Sequence, residues 1–212
     1  MDVTVLEKEL KECWAYPYDW QGKKQSNAND NSTRFVYKQN CFADVLREAK
    51  SRFDTSDYLF QYSINRWYNY KCSSWVEEMF CSLPGVVPHG NKYHQSIDFY
   101  INDVPFDLKV TKILNNFPGG IDAAKEDPKA LAQAYYEQQS RGQRHHLENR
   151  IFVVLHDHNP ASDHIKLKAE LSFIEPFVRN FVENFDPKTS LVDIDFSNGG
   201  KAKAGVIFVE RY

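Results

Sequence analysis

Residues 96–110, reading SIDFYINDVPFDLKV, satisfy their alternation, their turn and their charges in one local structure. Ile97, Phe99 and Ile101 alternate with Asp98 and Tyr100, and Val104, Phe106, Leu108 and Val110 alternate with Asp107 and Lys109. A period of two belongs to strands with one face buried. Asn102 and Asp103 both tolerate positive φ and form the two-residue turn of a β-hairpin. Counting back from that turn, Ile101 pairs with Val104, Tyr100 faces Pro105, Phe99 faces Phe106, and Asp98 faces Asp107.

Two carboxylates opposed on one sheet face would have Cβ atoms about 4.5–5.5 Å apart and repel each other. They call for positive charge. Lys109 lies two residues past Asp107 and shares its face. A hard divalent cation such as Mg²⁺, or Mn²⁺ in its place, suits oxygen ligands of this kind, with the Leu108 carbonyl as a further donor. The plainer alternative is the wet outer face of an amphipathic hairpin, with Lys109 neutralising one aspartate.

With 212 residues, 42% of them hydrophobic, the chain supports one sizeable core. An α/β fold is expected, organised as an N-terminal helical and loop extension (residues 1–60) packed on a core with C-terminal additions (residues 61–212). A formal net charge of −3 gives no global attraction to a polyanion, so contact with nucleic acid requires a local basic patch. Arg141, Arg144, His145, His146 and Arg150 supply one, and Lys112 lies just past the hairpin; Lys23 and Lys24 read as a solvated pair. Four dispersed cysteines without a C-x-x-C pair suggest free, buried thiols rather than zinc or disulfides. The start has no apolar leader and no stretch reaches the roughly 18 apolar residues of a membrane span, so a soluble, cytoplasmic protein is expected.

In chain order, the apolar spacing predicts a short helix over residues 1–14, a polar loop over 15–34, a short strand over 34–37 and helices over 42–53 and 58–83. Glu77 and Glu78 fall on the last of these, one turned toward the sheet edge and the other toward water. A strand over 86–93 precedes the hairpin. Residues 117–120 form a loop, and Asp127-Pro128 starts a helix running to about residue 140. Residues 151–155 are a strand buried on both faces beside the hairpin. A helix over 171–185 and strands over 191–196 and 206–209, around the loop SNGGKAKAG, close the chain. His156 and His158 share a strand face but have no companion ligand near them in sequence, which favours a structural or surface role.

This order resembles the PD-(D/E)xK nuclease superfamily, the restriction-endonuclease-like fold: a helix bearing Glu77 (or Glu78), a three-strand meander bearing Asp98 and then Asp107-Leu108-Lys109, a helix from Asp127 and a strand from Ile151. The resemblance covers about residues 64–156. Ile97 stands where the motif has proline, and Gln133 is followed by Tyr135 and Tyr136 rather than by the Gln-x-x-x-Tyr spacing of some relatives. The resemblance implies a metal-dependent DNA endonuclease of restriction or repair type. Asp98, Asp107, Glu77 and the Leu108 carbonyl would surround Mg²⁺, Lys109 would assist hydrolysis, and Lys112, Gln133, Arg141, Arg144 and Arg150 would meet the DNA. A homodimer is the simplest arrangement for cutting both strands. The alternative is a catalytically silent nucleic-acid-binding or assembly module of the same fold.

Overall fold

The computed structural model describes residues 2–17, 27–91, 94, 96–139, 148–159 and 162–212. The chain divides into two compact units, Met1–Trp75 with Ala169–Ser172, and Val76–Lys168 with Phe173–Tyr212.

The first unit is helical. Helix α1 (Val3–Glu12) starts at Asp2, whose carboxylate accepts the Thr4 N–H at 2.8 Å, and buries Leu6 and Leu10. Helix α2 (Asn27–Ser32) falls inside the stretch expected to be loop. Its Asp30 accepts the Tyr62 hydroxyl at 2.6 Å, and Arg66 donates to the Asp30 carbonyl and to Thr33, so tertiary contacts hold a segment of weak propensity. Residues 34–37, expected as a strand, lie instead in a 3₁₀ helix, Arg34–Lys38. Neighbours Phe35 and Val36 are both buried, which a strand with alternating faces would not achieve against a single core.

Helix α3 (Phe42–Arg52) has no side-chain cap of its own. Glu9 supplies one from α1, accepting the Phe42 N–H at 3.1 Å at the positive end of the helix dipole. Helix α4 (Tyr58–Cys81) runs through the unit boundary. In the first unit it buries Ile64, Trp67, Tyr68 and Cys72, with Trp67 5.6 Å from the Phe42 ring.

The second unit is built on one sheet: strands β1 (Val86–Pro88), β2 (Phe99–Ile101) and β3 (Val104–Lys112), helices α5 (Gly120–Glu126) and α6 (Pro128–Gln139), strand β4 (Arg150–Asp157), helix α7 (Leu171–Glu183) from Phe173 onward, and strands β5 (Val192–Asp195) and β6 (Lys201–Arg211). Spatial order is β1-β2-β3-β4-β6-β5. Strands β1, β2 and β3 form an antiparallel meander, β3, β4 and β6 are parallel, and β5 is antiparallel on β6.

Strand β1 stops at Pro88, short of the expected end at Tyr93, which lies outside the described residues. Helix α5 follows the expected loop over residues 117–120, in residues for which no element was expected; Gly119 enters it at φ 75°, where an added Cβ would lie 2.6 Å from that of Ala123. Helix α6 begins as expected, with Asp127 accepting the Ala130 N–H at 2.9 Å. Strand β6 takes in residues 201–205, expected as loop, because β4 offers a parallel edge and Asp193 and Asp195 pair with Lys203 and Lys201 across β5.

Strand β4 is buried on both faces, as its apolar run predicts. On one face Phe152 and Val154 meet Ile121, Leu131, Tyr135 and Tyr136, with the Tyr135 and Phe152 rings stacked at 4.9 Å. On the other, Gly205 makes room for Phe181, whose ring tip would lie 2.9 Å from an added Cβ. Among the described residues no helix is long and apolar enough to cross a membrane. All four cysteines are free; Cys13 and Cys72 are buried, and Cys41 and Cys81 are half-buried.

Candidate active site

The hairpin turn forms as its residues dictate: Asn102 and Asp103 take φ of 47° and 67°, and Ile101, Tyr100 and Phe99 pair with Val104, Pro105 and Phe106. The next step departs from expectation. Asp98 does not pair with Asp107; its N–H donates to the carbonyl of Phe106 at 2.8 Å, so Asp98 and Phe99 stand together against one residue of β3. This two-against-one arrangement is a β-bulge. It relieves the like-charge opposition that strict register would impose. The Asp98 carboxylate turns onto β3 and accepts the Leu108 N–H at 2.6 Å, while the Asp107 N–H donates to the Asn149 carbonyl at 3.0 Å.

Asp107 is buried, and its in-register neighbour on β4 is Arg150. Its Oδ1 lies 2.7 Å from Lys109 Nζ, and its Oδ2 lies 2.8 Å from Arg150 Nε. The two cations differ in access: the Lys109 side chain is 39% exposed and that of Arg150 only 6%. Tyr136 sits beside the guanidinium, its ring centre 4.9 Å from Cζ, and donates its hydroxyl to the Glu148 carbonyl at 2.8 Å. Asn149 ties the strand entry together, its Nδ2 donating to the Pro105 carbonyl at 3.3 Å and its Oδ1 accepting the Lys203 N–H at 2.8 Å.

On α4, Glu77 is half-buried and Glu78 exposed. Cys81, one turn beyond Glu77, reads the local field. Burial pushes its thiol up to about 11, and the negative charges of Glu77, Asp98 and Glu78 push the same way. Burial likewise raises the Asp98 carboxyl; the Leu108 N–H opposes that rise and the Asp107 charge adds to it. Asp98 is therefore charged against resistance, which a cation would relieve.

The remaining expected site residues are distributed otherwise. Lys112 lies five positions past Asp107 on β3, roughly 16 Å along the strand. Its charge acts on His164, and its carbonyl accepts the Tyr135 hydroxyl at 2.7 Å. Gln133 donates to Glu137 on its own helix at 3.1 Å. Arg150, expected in the DNA-contacting basic patch with Arg141 and Arg144, instead opens β4 and is buried against Asp107, out of reach of a DNA backbone. Arg141, Arg144, His145, His146, Lys23 and Lys24 lie outside the described residues.

His156 and His158 do acquire a companion: His164 stacks on His156 at 5.0 Å. Its Nδ1 accepts the Asp157 N–H at 2.9 Å, and His158 Nε2 lies 2.9 Å from a Glu210 oxygen, so both rings are tied into the fold.

Among the described residues no three His, Cys, Asp or Glu side chains converge closely enough to hold a metal ion as they stand. The donor types at the bulge nonetheless fit a hard dication. They are carboxylate oxygens, and a carboxylate oxygen has lone-pair capacity for more than one contact. Comparison with family models, curated proteins and solved structures gave no match.

Sequence reasoning missed Tyr136, Asn149 and the true place of Arg150. No local signal marks Arg150 as buried, since a charged residue flanking an apolar strand is ordinarily exposed; the register of β3 on β4 places it beside Asp107.

Proposed function

We propose that the second unit is a metal-dependent deoxyribonuclease of the PD-(D/E)xK kind, hydrolysing phosphodiester bonds in DNA. The observation that carries this reading is the grouping of Asp98, Asp107 and Lys109 at the bulged end of one hairpin, with Glu77 and Asp98 both acting on Cys81. The succession of helix, antiparallel meander, helix and parallel strand supports it, being the order the superfamily implies.

Asp98, Asp107 and Glu77, with the Leu108 carbonyl, would hold Mg²⁺ or Mn²⁺. The ion would polarise a phosphoryl oxygen and lower the pKa of a bound water. Glu77 accepts a hydrogen bond from the attacking water and orients it. Lys109, half in solvent, stabilises the charge that develops on the phosphoryl oxygens. Two copies acting together would cut both strands.

A silent binding module of the same fold is the second reading, favoured by the double engagement of Asp107 by Lys109 and Arg150. Incubation of purified protein with supercoiled and linear DNA, and with RNA in parallel, with and without Mg²⁺ or Mn²⁺, separates the two. Metal-dependent cleavage lost in Asp98→Asn supports the nuclease; DNA binding without cleavage under any metal supports the module.

A further inference from the structure

We propose that Arg150 is the permanent counter-ion of Asp107, a positioning residue whose presence releases Lys109 from structural duty so that it can serve the substrate. The inference rests on the nuclease reading for the word substrate; the counter-ion assignment stands on geometry alone.

Asp107 is buried and its two oxygens are held by different cations, Oδ1 by Lys109 and Oδ2 by Arg150. A buried carboxylate needs one close positive charge to remain ionised, and losing the buried partner costs far more than losing an exposed one. Arg150 is the partner that cannot leave. Its side chain is 6% exposed, its strand is buried on both faces, and Tyr136 lies against the guanidinium. Arginine keeps its charge in such a setting, whereas a buried lysine would tend to lose its proton.

Lys109 is the partner that can leave. Its side chain is 39% exposed on a flexible stem, and water can replace Asp107 around its ammonium. A dication arriving at Asp107 competes with Lys109 and displaces it; Asp107 stays oriented because Arg150 remains. One aspartate with two cations of unequal mobility thus gives a fixed ligand and a transferable charge.

The test has two arms. In EDTA, urea unfolding of Arg150→Met and Lys109→Met is compared with wild type. The expected result is a fall in the folded-to-unfolded ratio of at least a hundredfold for Arg150→Met and less than fivefold for Lys109→Met. Failure of Arg150→Met to fold at all belongs with that result. Equal losses, or a larger loss for Lys109→Met, overturn the assignment. In the second arm Mn²⁺ binding is followed by electron paramagnetic resonance. Lys109→Met should bind Mn²⁺ at least fivefold more tightly, the competing ammonium being gone. Weaker Mn²⁺ binding by Lys109→Met overturns the displacement. If wild type neither binds Mn²⁺ nor cuts DNA, the nuclease reading falls by itself and the first arm still decides the counter-ion. If wild type does both while the two variants are equally destabilised, the inference falls alone.

Discussion

Replacing Asp107 with alanine should destabilise the metal-free protein by about 3 kcal/mol, because the change strands a buried guanidinium. Breaking a buried ion pair by removing one member costs about 3–5 kcal/mol. Two details put this site at the lower end. Lys109, released from Oδ1, is already 39% exposed and rehydrates at little cost. Arg150 keeps its contact with the Tyr136 ring, worth about 0.5–2 kcal/mol in either protein. For a chain of this size 1 kcal/mol moves Tm by roughly 2–4 °C, so a drop of about 6–12 °C is expected. Thermal and urea unfolding in EDTA at pH 7, followed by circular dichroism, measure it. The double variant Asp107→Leu with Arg150→Met should recover much of the loss, since a well-packed apolar pair often replaces a buried ion pair without penalty. An Asp107→Ala protein within about 2 °C of wild type, or more stable than it, would refute the reasoning and return Asp107 to a site of unrelieved repulsion.

Other outcomes follow from the same structure. Asp157 accepts from Ser162, the Asn159 N–H and Arg211, with the Ser162 hydroxyl the largest influence, and its carboxyl is held down to about 2 against the opposing effect of burial. A depressed carboxyl contributes stability above its unfolded pKa of about 3.9 that is lost as pH falls toward the folded value. Asp157→Asn should therefore lower the urea midpoint at pH 7, with the gap to wild type closing between about pH 4 and pH 2; parallel profiles would contradict this. Cys81, with its thiol near 11, should carry about two orders of magnitude less thiolate at pH 8 than an ordinary cysteine and alkylate correspondingly slowly in mass-spectrometric labelling. Glu77→Gln should speed that labelling, and an unchanged rate would mean that Glu77 does not act on the thiol. Gly205→Ala would bring a methyl to 2.9 Å from the tip of the Phe181 ring and should cost about 1 kcal/mol in urea unfolding, with no loss at all being the contrary result.

The hairpin was legible because alternation, turn residues and loop length each specify the same pairing, and all of that information is local. Strand β4 was legible for a related reason: five consecutive apolar residues have no other economical place than between two helical layers. The bulge was not legible, since it is written in backbone hydrogen bonds that answer a charge conflict and leave the side-chain period almost untouched. Nor were α2 and the full length of β6. The former depends on Tyr62 and Arg66 from a distant helix, and the latter on the parallel edge offered by β4. In the candidate site the acids and Lys109 were visible as residue types at a spacing, while the role of Arg150 was hidden by its neighbours in sequence. Grouped with Arg141 and Arg144 it reads as surface charge; only the pairing of β3 with β4 turns it inward to Asp107.

The extra residue at Asp98 separates two things that an unbroken ladder would weld together. In a regular hairpin, the aim of every side chain is fixed by its count from the turn, so one inserted or deleted residue exchanges the inner and outer faces over the whole strand. A bulge interrupts that counting. Upstream of Phe99, where β2 begins, the chain can gain or lose a residue and re-aim Asp98, while Phe99 and Ile101 remain in the core opposite Phe106 and Val104. The chemistry at this corner and the packing beneath it can thus vary independently, and a lineage or a designer could retune the first without rebuilding the second.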